Sequence, residues 1–182
     1  MVDGADGDVA GLVAARIRDV PDFPRPGVTF KDITPLLADG PVFAAVADEV
    51  VRAHALSGFD LVAGVEARGF LLAAAVAYAA RVGVLPVRKA GKLPGPVLGA
   101  SYTLEYGEAT IEMPVTGWAT GRRVLVVDDV LATGGTLAAT ADLVRRAGGT
   151  VAGLSVIIEL SLLGGRSRLG ADGAGLHAVL TV

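Results

Sequence analysis

The chain has 182 residues, 52% of them hydrophobic and 19% charged, with 16 Lys and Arg against 19 Asp and Glu and no cysteine. That length and apolar content describe one domain with a substantial core, and a net charge of −3 argues against a dedicated nucleic-acid binder with a basic face. Without cysteine there is no disulfide scaffold, thiolate metal site or thiol nucleophile, and a reducing compartment is compatible.

Residues 1–8 carry Asp3, Asp6 and Asp8 and no basic stretch ahead of an apolar segment, so they read as a flexible acidic leader rather than a signal peptide. The longest apolar run, residues 69–80, is too short to span a bilayer. A cytoplasmic protein with no membrane partner is the expectation. Val9, Leu12, Val13, Ile17 and Val20 fall at helical spacing and predict a first amphipathic helix stopped by Pro21. Residues 21–32 (PDFPRPGVTFKD) hold three prolines and a glycine, which exclude a regular element. Phe23 and Phe30 on so stiff a loop suit either a cover over a flat ligand or an anchor to the core.

Asp39-Gly40-Pro41 predicts a turn into a helix with Val42, Phe43, Val46 and Val50 inward, ending near Ser57-Gly58. A strand at 60–65, a helix at 70–81 and a strand at 82–87 then follow βαβ grammar, with charges at the strand ends. Residues 90–100 (AGKLPGPVLGA) are rich in Gly and Pro, and 101–106 and 110–115 suggest a hairpin around Gly107-Glu108. The segment 90–108 is therefore expected to be a flexible functional loop. Trp118 is expected to pack beneath the turn before the next strand. A helix carrying Leu137, Ala141, Val144 and Ala147 ends at Gly148-Gly149, and strands at 151–158 and 176–182 complete the chain. No repeat or second domain is visible, and residues 1–182 read as a single α/β domain. Its expected centre is a mainly parallel twisted sheet flanked by helices. His54 and His177 read as structural or exposed.

The most informative stretch is 122–136, RRVLVVDDVLATGGT. Val124-Leu125-Val126-Val127 has no alternation, as in a strand buried on both faces. Asp128 and Asp129 interrupt it where the strand is expected to end, which is where ligands of open α/β sheets bind. Adjacent carboxylates repel one another unless something cationic or hydroxyl-rich meets them. Thr133-Gly134-Gly135-Thr136 then opens a helix, and glycines with free backbone N–H groups suit a phosphate. Elsewhere, Glu66-Ala67-Arg68-Gly69 sits at a strand-to-helix turn, where an exposed salt bridge would also account for it. Arg88, Lys89 and Lys92 form a tight basic cluster at a strand's carboxyl end. Two anion subsites thus emerge, which a substrate carrying phosphate at one end and pyrophosphate at the other would fill. A P-loop at Gly91-Lys92 is excluded because Leu93 follows.

The stretch 122–136 resembles the phosphoribosyl-pyrophosphate (PRPP) loop of the type I phosphoribosyltransferases. The wider set DFPRPGVTFKDITPLL, VEARGFLLAA, PVRKAGKLPGPV, SYTLEYG and IIEL resembles the adenine-specific branch of that family. The resemblance implies transfer of a phosphoribosyl group from PRPP to adenine, with Mg2+ entering mainly through PRPP and water near Asp128 and Asp129. It implies that 21–32 is a hood over the base, with Thr29, Phe30 and Lys31 at the base, Leu160 on its other side and Tyr106 nearby. Arg68, Lys89 and Lys92 would face pyrophosphate, and Arg88 would reach the partner's site in a homodimer. The 5′-phosphate would lie on Ala132, Thr133, Gly134, Gly135 and Thr136, with Asp128, Asp129 and Glu105 as catalytic residues, Glu105 as acid or base at the adenine ring.

Lys31 stands where related enzymes often have Arg, and Thr29 where they often have an aliphatic residue. A 6-oxo purine enzyme of this family would use a late lysine, and no Lys occurs after Lys92. A 6-amino base needs an acceptor, which hood carbonyls supply. A phosphoribosyltransferase for another base, or a non-catalytic PRPP-sensing regulator, are the alternatives. The second would need a basic or DNA-binding segment.

Overall fold

The computed structural model describes residues 8–104, 107–115 and 117–182. Helix α1 (Val9–Ala14) is followed by β1 (Arg18–Val20), which pairs antiparallel with β2 (Phe30–Asp32). The helix expected to reach Val20 therefore stops early, and the loop 21–32 ends in a strand. Charge pairing explains the switch: Arg18 meets Asp32 at 2.6 Å, and Lys31 meets Asp19 at 2.7 Å across the two strands. Asp32 also accepts the Thr34 N–H, and these partners, Thr34 foremost, hold its carboxyl down at about 2. Helix α2 (Thr34–Ala38) is too short for a periodicity to announce it. The Asp39 side chain then accepts the Val42 N–H at 3.2 Å and caps α3 (Gly40–Ala53), whose Val42, Val46, Ala47 and Val50 are buried.

Next come β3 (Leu61–Val65), α4 (Gly69–Ala80) and β4 (Gly83–Lys89), then β5 (Val97–Leu104) and β6 (Gly107–Pro114). After them run β7 (Arg123–Leu131), α5 (Gly135–Arg146), β8 (Thr150–Glu159), α6 (Gly165–Arg168) and β9 (Leu176–Thr181). The main sheet has the order β5-β6-β4-β3-β7-β8-β9, parallel from β4 to β9, with β9 at the edge. This is the α/β architecture expected from the sequence. β5 and β6 form a hairpin added antiparallel to β4, with Arg88 opposite Glu112. The segment expected as a loop over 90–108 is thus strand from Val97, because Ile111 and Met113 of its partner strand sit in the core.

β7 shows why its sequence lacks alternation. Val124 and Val126 belong to the core on one face of the sheet, Leu125 and Val127 to the core on the other, and all four are fully enclosed. Trp118 is 55% exposed and does not pack as expected. Among the described residues no helix is long and apolar enough to cross a membrane.

His54, at the end of α3, is 5% exposed, and burial with His177 nearby lowers its pKa from 6.5 to about 4. A histidine depressed in the folded state takes up its proton more readily when unfolded. Stability is therefore expected to fall as pH drops from 6.5 toward 4, by about 2 kcal/mol at pH 5. The depressed carboxylates Asp32, Asp60 and Glu66, each near 2, give up their contribution only at lower pH. Urea midpoints at pH 7 and pH 5 measure the loss, and His54→Gln should remove most of it. A variant with the same loss as the native chain would contradict this account.

Candidate active site

β3 pairs with β7 only as far as Gly64 opposite Val127, whereas β8 pairs on through Glu159 opposite Leu131. The strand does not end at the aspartates as expected, because β8 still offers backbone partners beyond them. Asp128 and Asp129 therefore lie where β7 has outrun one neighbour, on the wall of a crevice at the strands' carboxyl ends. Each is 8% exposed. Burial first, and then the Asp129 charge, push the Asp128 carboxyl well above its ordinary range. The Asp129 N–H donates to Asp128 Oδ1 at 2.8 Å. Arg68 Nη2 lies 2.5 Å from Asp129 Oδ2 as an ion pair, and that buried oxygen receives no aligned hydrogen bond. Gly69 opens α4 against this pair: a Cβ there would stand 2.8 Å from Asp128 Oδ1 and 3.1 Å from Asp128 Cα.

At the other end of the crevice, residues 132–135 turn into α5. Gly134 has φ +84, and a Cβ on it would meet the Gly165 carbonyl oxygen at 2.7 Å. A cavity of about 140 Å³ lies within the turn, lined by Asp128, Ala132, Thr133, Gly134, Gly135 and Thr136 among others. A second, of about 250 Å³, is lined by Glu66, Arg68, Lys89, Asp128, Asp129 and Thr136, together with Tyr102. Asp128 and Thr136 border both. The two groups of residues singled out from the sequence thus line adjoining cavities, with Asp128 bordering both and Asp129 the larger.

The basic cluster divides. Lys89 borders the larger cavity, and its N–H donates to Glu66 Oε2 at 3.0 Å. Lys92 Nζ donates to Glu66 Oε1 at 2.9 Å, and Arg88 Nε approaches Oε2 at 3.4 Å. Lys92 leads these contacts in holding Glu66 at about 2. Arg88 also donates to the Lys92 carbonyl at 3.0 Å, so within one chain it folds back on its own site. Glu66 is thus the hub of the cluster, its carboxylate meeting both Lys92 and Arg88.

The hood is a self-bonded loop: Gly27 N–H donates to Asp22 Oδ1 at 2.7 Å and Phe23 N–H to the Val28 carbonyl at 3.1 Å. Phe23 is half exposed and meets Phe30 edge-on at 5.1 Å, and neither ring belongs to the core. Phe30 lies under the Arg68 guanidinium, 4.6 Å from its centroid, and Arg68 also donates to the Lys31 carbonyl at 3.3 Å. Arg68 therefore joins hood to acid pair. Thr29 is exposed, and the Lys31 ammonium is paired with Asp19. Leu160 follows β8, half-buried, its N–H donating to the Leu131 carbonyl at 2.9 Å. Glu105 and Tyr106 lie outside the described residues. Tyr102 was not singled out from the sequence, since its strand has no signal beyond β propensity.

The chain matches the phosphoribosyl transferase domain over residues 37–170. It is 62% identical over 175 residues to the adenine phosphoribosyltransferase of Salinispora tropica, covering 96% of this chain and 92% of that one. The chain belongs to the adenine phosphoribosyltransferase family. Among solved structures it is similar to the adenine phosphoribosyltransferase of Thermoanaerobacter pseudethanolicus, with TM-score 0.91 and 42% identity over 95% of this chain and 99% of that one. It is also similar to the APRTase of Giardia lamblia complexed with 9-deazaadenine, with TM-score 0.89, 36% identity and 95% and 97% coverage.

Members of this family draw Mg2+ in with their substrate, and the residues present fit such a cation. Asp128 and Asp129 are adjacent, buried carboxyls, Asp128 crowded by like charge and Asp129 already facing the Arg68 guanidinium. Two carboxylates are few for a protein-only Mg2+ cage, and suit an ion that takes most ligands from phosphate oxygens and water.

Proposed function

We propose that this chain transfers the 5-phosphoribosyl group from PRPP to adenine, giving AMP and pyrophosphate in purine salvage. The observation that carries the reading is the pair of adjoining cavities, with Asp128 on the wall of both and Asp129 on the wall of the larger. The 5′-phosphate sits on the N–H groups and hydroxyls of Thr133–Thr136, and pyrophosphate lies toward Arg68, Lys89 and Lys92. As the pyrophosphate end of PRPP enters, Lys92 exchanges Glu66 for phosphate oxygens. The C1′–oxygen bond breaks, positive charge develops on the ribose, and the buried carboxylates of Asp128 and Asp129 stabilise it while accepting ribose hydroxyls. Asp128 and Asp129 are the residues that would hold a Mg2+ ion brought in with PRPP, and the ion would supply neutralisation of phosphate charge. Adenine N9 bonds C1′ from the hood side, held between Phe30 and Leu160 with its edge on the backbone of Thr29 and Lys31. Glu105 takes the N9 proton, and closure of the hairpin keeps water from the ribose cation.

A homodimer goes with this reading. Leu71 and Tyr78 on α4 and Val84 on β4 are 52%, 74% and 45% exposed, an apolar face suited to a second copy. Arg88 would swing from Glu66 to the partner's site on assembly. A cytoplasmic location fits as well, because phosphorylated substrates and products do not cross membranes unaided. Incubation with PRPP, Mg2+ and either adenine, hypoxanthine, guanine or xanthine tests the reading. Nucleotide is expected from adenine alone or at least a hundredfold faster than from the others, since a hood built to accept from a 6-amino group leaves a 6-oxo base unpaired. Faster conversion of a 6-oxo base would overturn it.

A further inference from the structure

We propose that Arg166 and Glu159 are a positioning pair that locks the phosphate turn and Leu160 into one rigid unit, fixing the distance between the phosphate and base subsites. The inference rests on the reading above, which puts phosphate on the turn and base against Leu160. Neither residue lines the two cavities. Glu159 is the last residue of β8, 6% exposed, and directly precedes Leu160. From α6, Arg166 Nε donates to its Oε1 at 3.0 Å and its Oε2 at 3.2 Å, and Nη2 to Oε2 at 2.5 Å. Nη1 donates onward to the Leu176 and Gly173 carbonyls at 2.9 and 3.3 Å. One guanidinium thus joins the end of β8, the start of β9 and the segment between.

The same short helix leans on the phosphate turn. A Cβ on Gly165 would stand 2.3 Å from the Ala132 carbonyl oxygen, and the Gly165 carbonyl is the group that would meet a Cβ on Gly134. Two glycines therefore press backbone to backbone, with no side chain to yield between them. The Leu160 N–H to Leu131 carbonyl bond closes the circuit. Arg145 of α5, the helix that the turn opens, pairs with Asp172 beyond α6. Contacts run from turn to Gly165 to Arg166 to Glu159 to Leu160 and back to β7. If Arg166 lets go, α6 can drift from Glu159, and both subsites lose their mutual register.

Arg166→Met and the double variant Glu159→Gln/Arg166→Met test this. The single variant strands a buried carboxylate and is at risk of unfolding; the double removes both charges and keeps the test available. In the double variant the KM values for PRPP and for adenine are each expected to rise about tenfold and kcat to fall about tenfold, because substrates held out of register both bind less well and start farther from the reacting geometry. A purely structural pair would lower thermal stability and leave both KM values alone. A native KM for either substrate in the folded double variant overturns the inference. Absence of AMP formation by the native chain would instead overturn the proposed function.

Discussion

The Asp128→Asn/Asp129→Asn chain is expected to fold normally and to turn over PRPP and adenine at least about a thousandfold more slowly. Removing one preorganised electrostatic contact to a charged transition state typically costs a hundred- to a thousandfold, and the two carboxylates act together at the same ribose. Stability should move little. Burial and the Asp129 charge raise the Asp128 pKa, so carrying its negative charge costs the folded chain stability. Asn at that position is neutral throughout and relieves that cost. Against this, Arg68 loses its partner at Asp129, although its stacking on Phe30 and its bond to the Lys31 carbonyl remain. Initial rates at saturating substrates, beside a thermal melt, separate the two effects. A rate within tenfold of native with an unchanged melt would remove the acid pair from the mechanism.

Gly134→Ala should raise the KM for PRPP about a hundredfold. Its φ of +84 is a left-handed conformation that costs a residue with a Cβ about 1–2 kcal/mol. The methyl would also stand 2.7 Å from the Gly165 carbonyl oxygen, backbone that cannot turn aside as a side chain would. The turn must shift to relieve the contact, and the N–H groups aimed at the 5′-phosphate shift with it. Losing one or two hydrogen bonds to a charged phosphate, about 1.5–3 kcal/mol each, is enough for an effect of that size. The KM for adenine should rise less, through Gly165 and α6. A KM for PRPP within twofold of native would mean that the turn does not hold the phosphate.

Some of this was legible in the residues. Val124–Val127 announced a strand buried on both faces, and the βαβ grammar announced a mainly parallel sheet, because burial and backbone pairing impose short-range patterns. The acid pair and the Thr-Gly-Gly-Thr turn were legible because their chemistry is costly without a ligand. Three features were not. The helix read through Val20 gave way to a strand, since the ion pairs from Arg18 and Lys31 depend on residues 14 and 12 positions away. Glu66 as the holder of Lys92 and Arg88 depends on β3 lying beside β4. The contact of Gly165 with Ala132 joins segments that no periodicity relates. Each is a tertiary contact, visible only when the chain is folded.

The most direct test of the central claim is to supply the native chain with PRPP, Mg2+ and adenine and count both products. AMP and pyrophosphate are expected to appear in equal amounts, with no ribose 5-phosphate, because closure of the hairpin over the crevice keeps water from C1′. Pyrophosphate released without AMP, or neither product, would contradict the account.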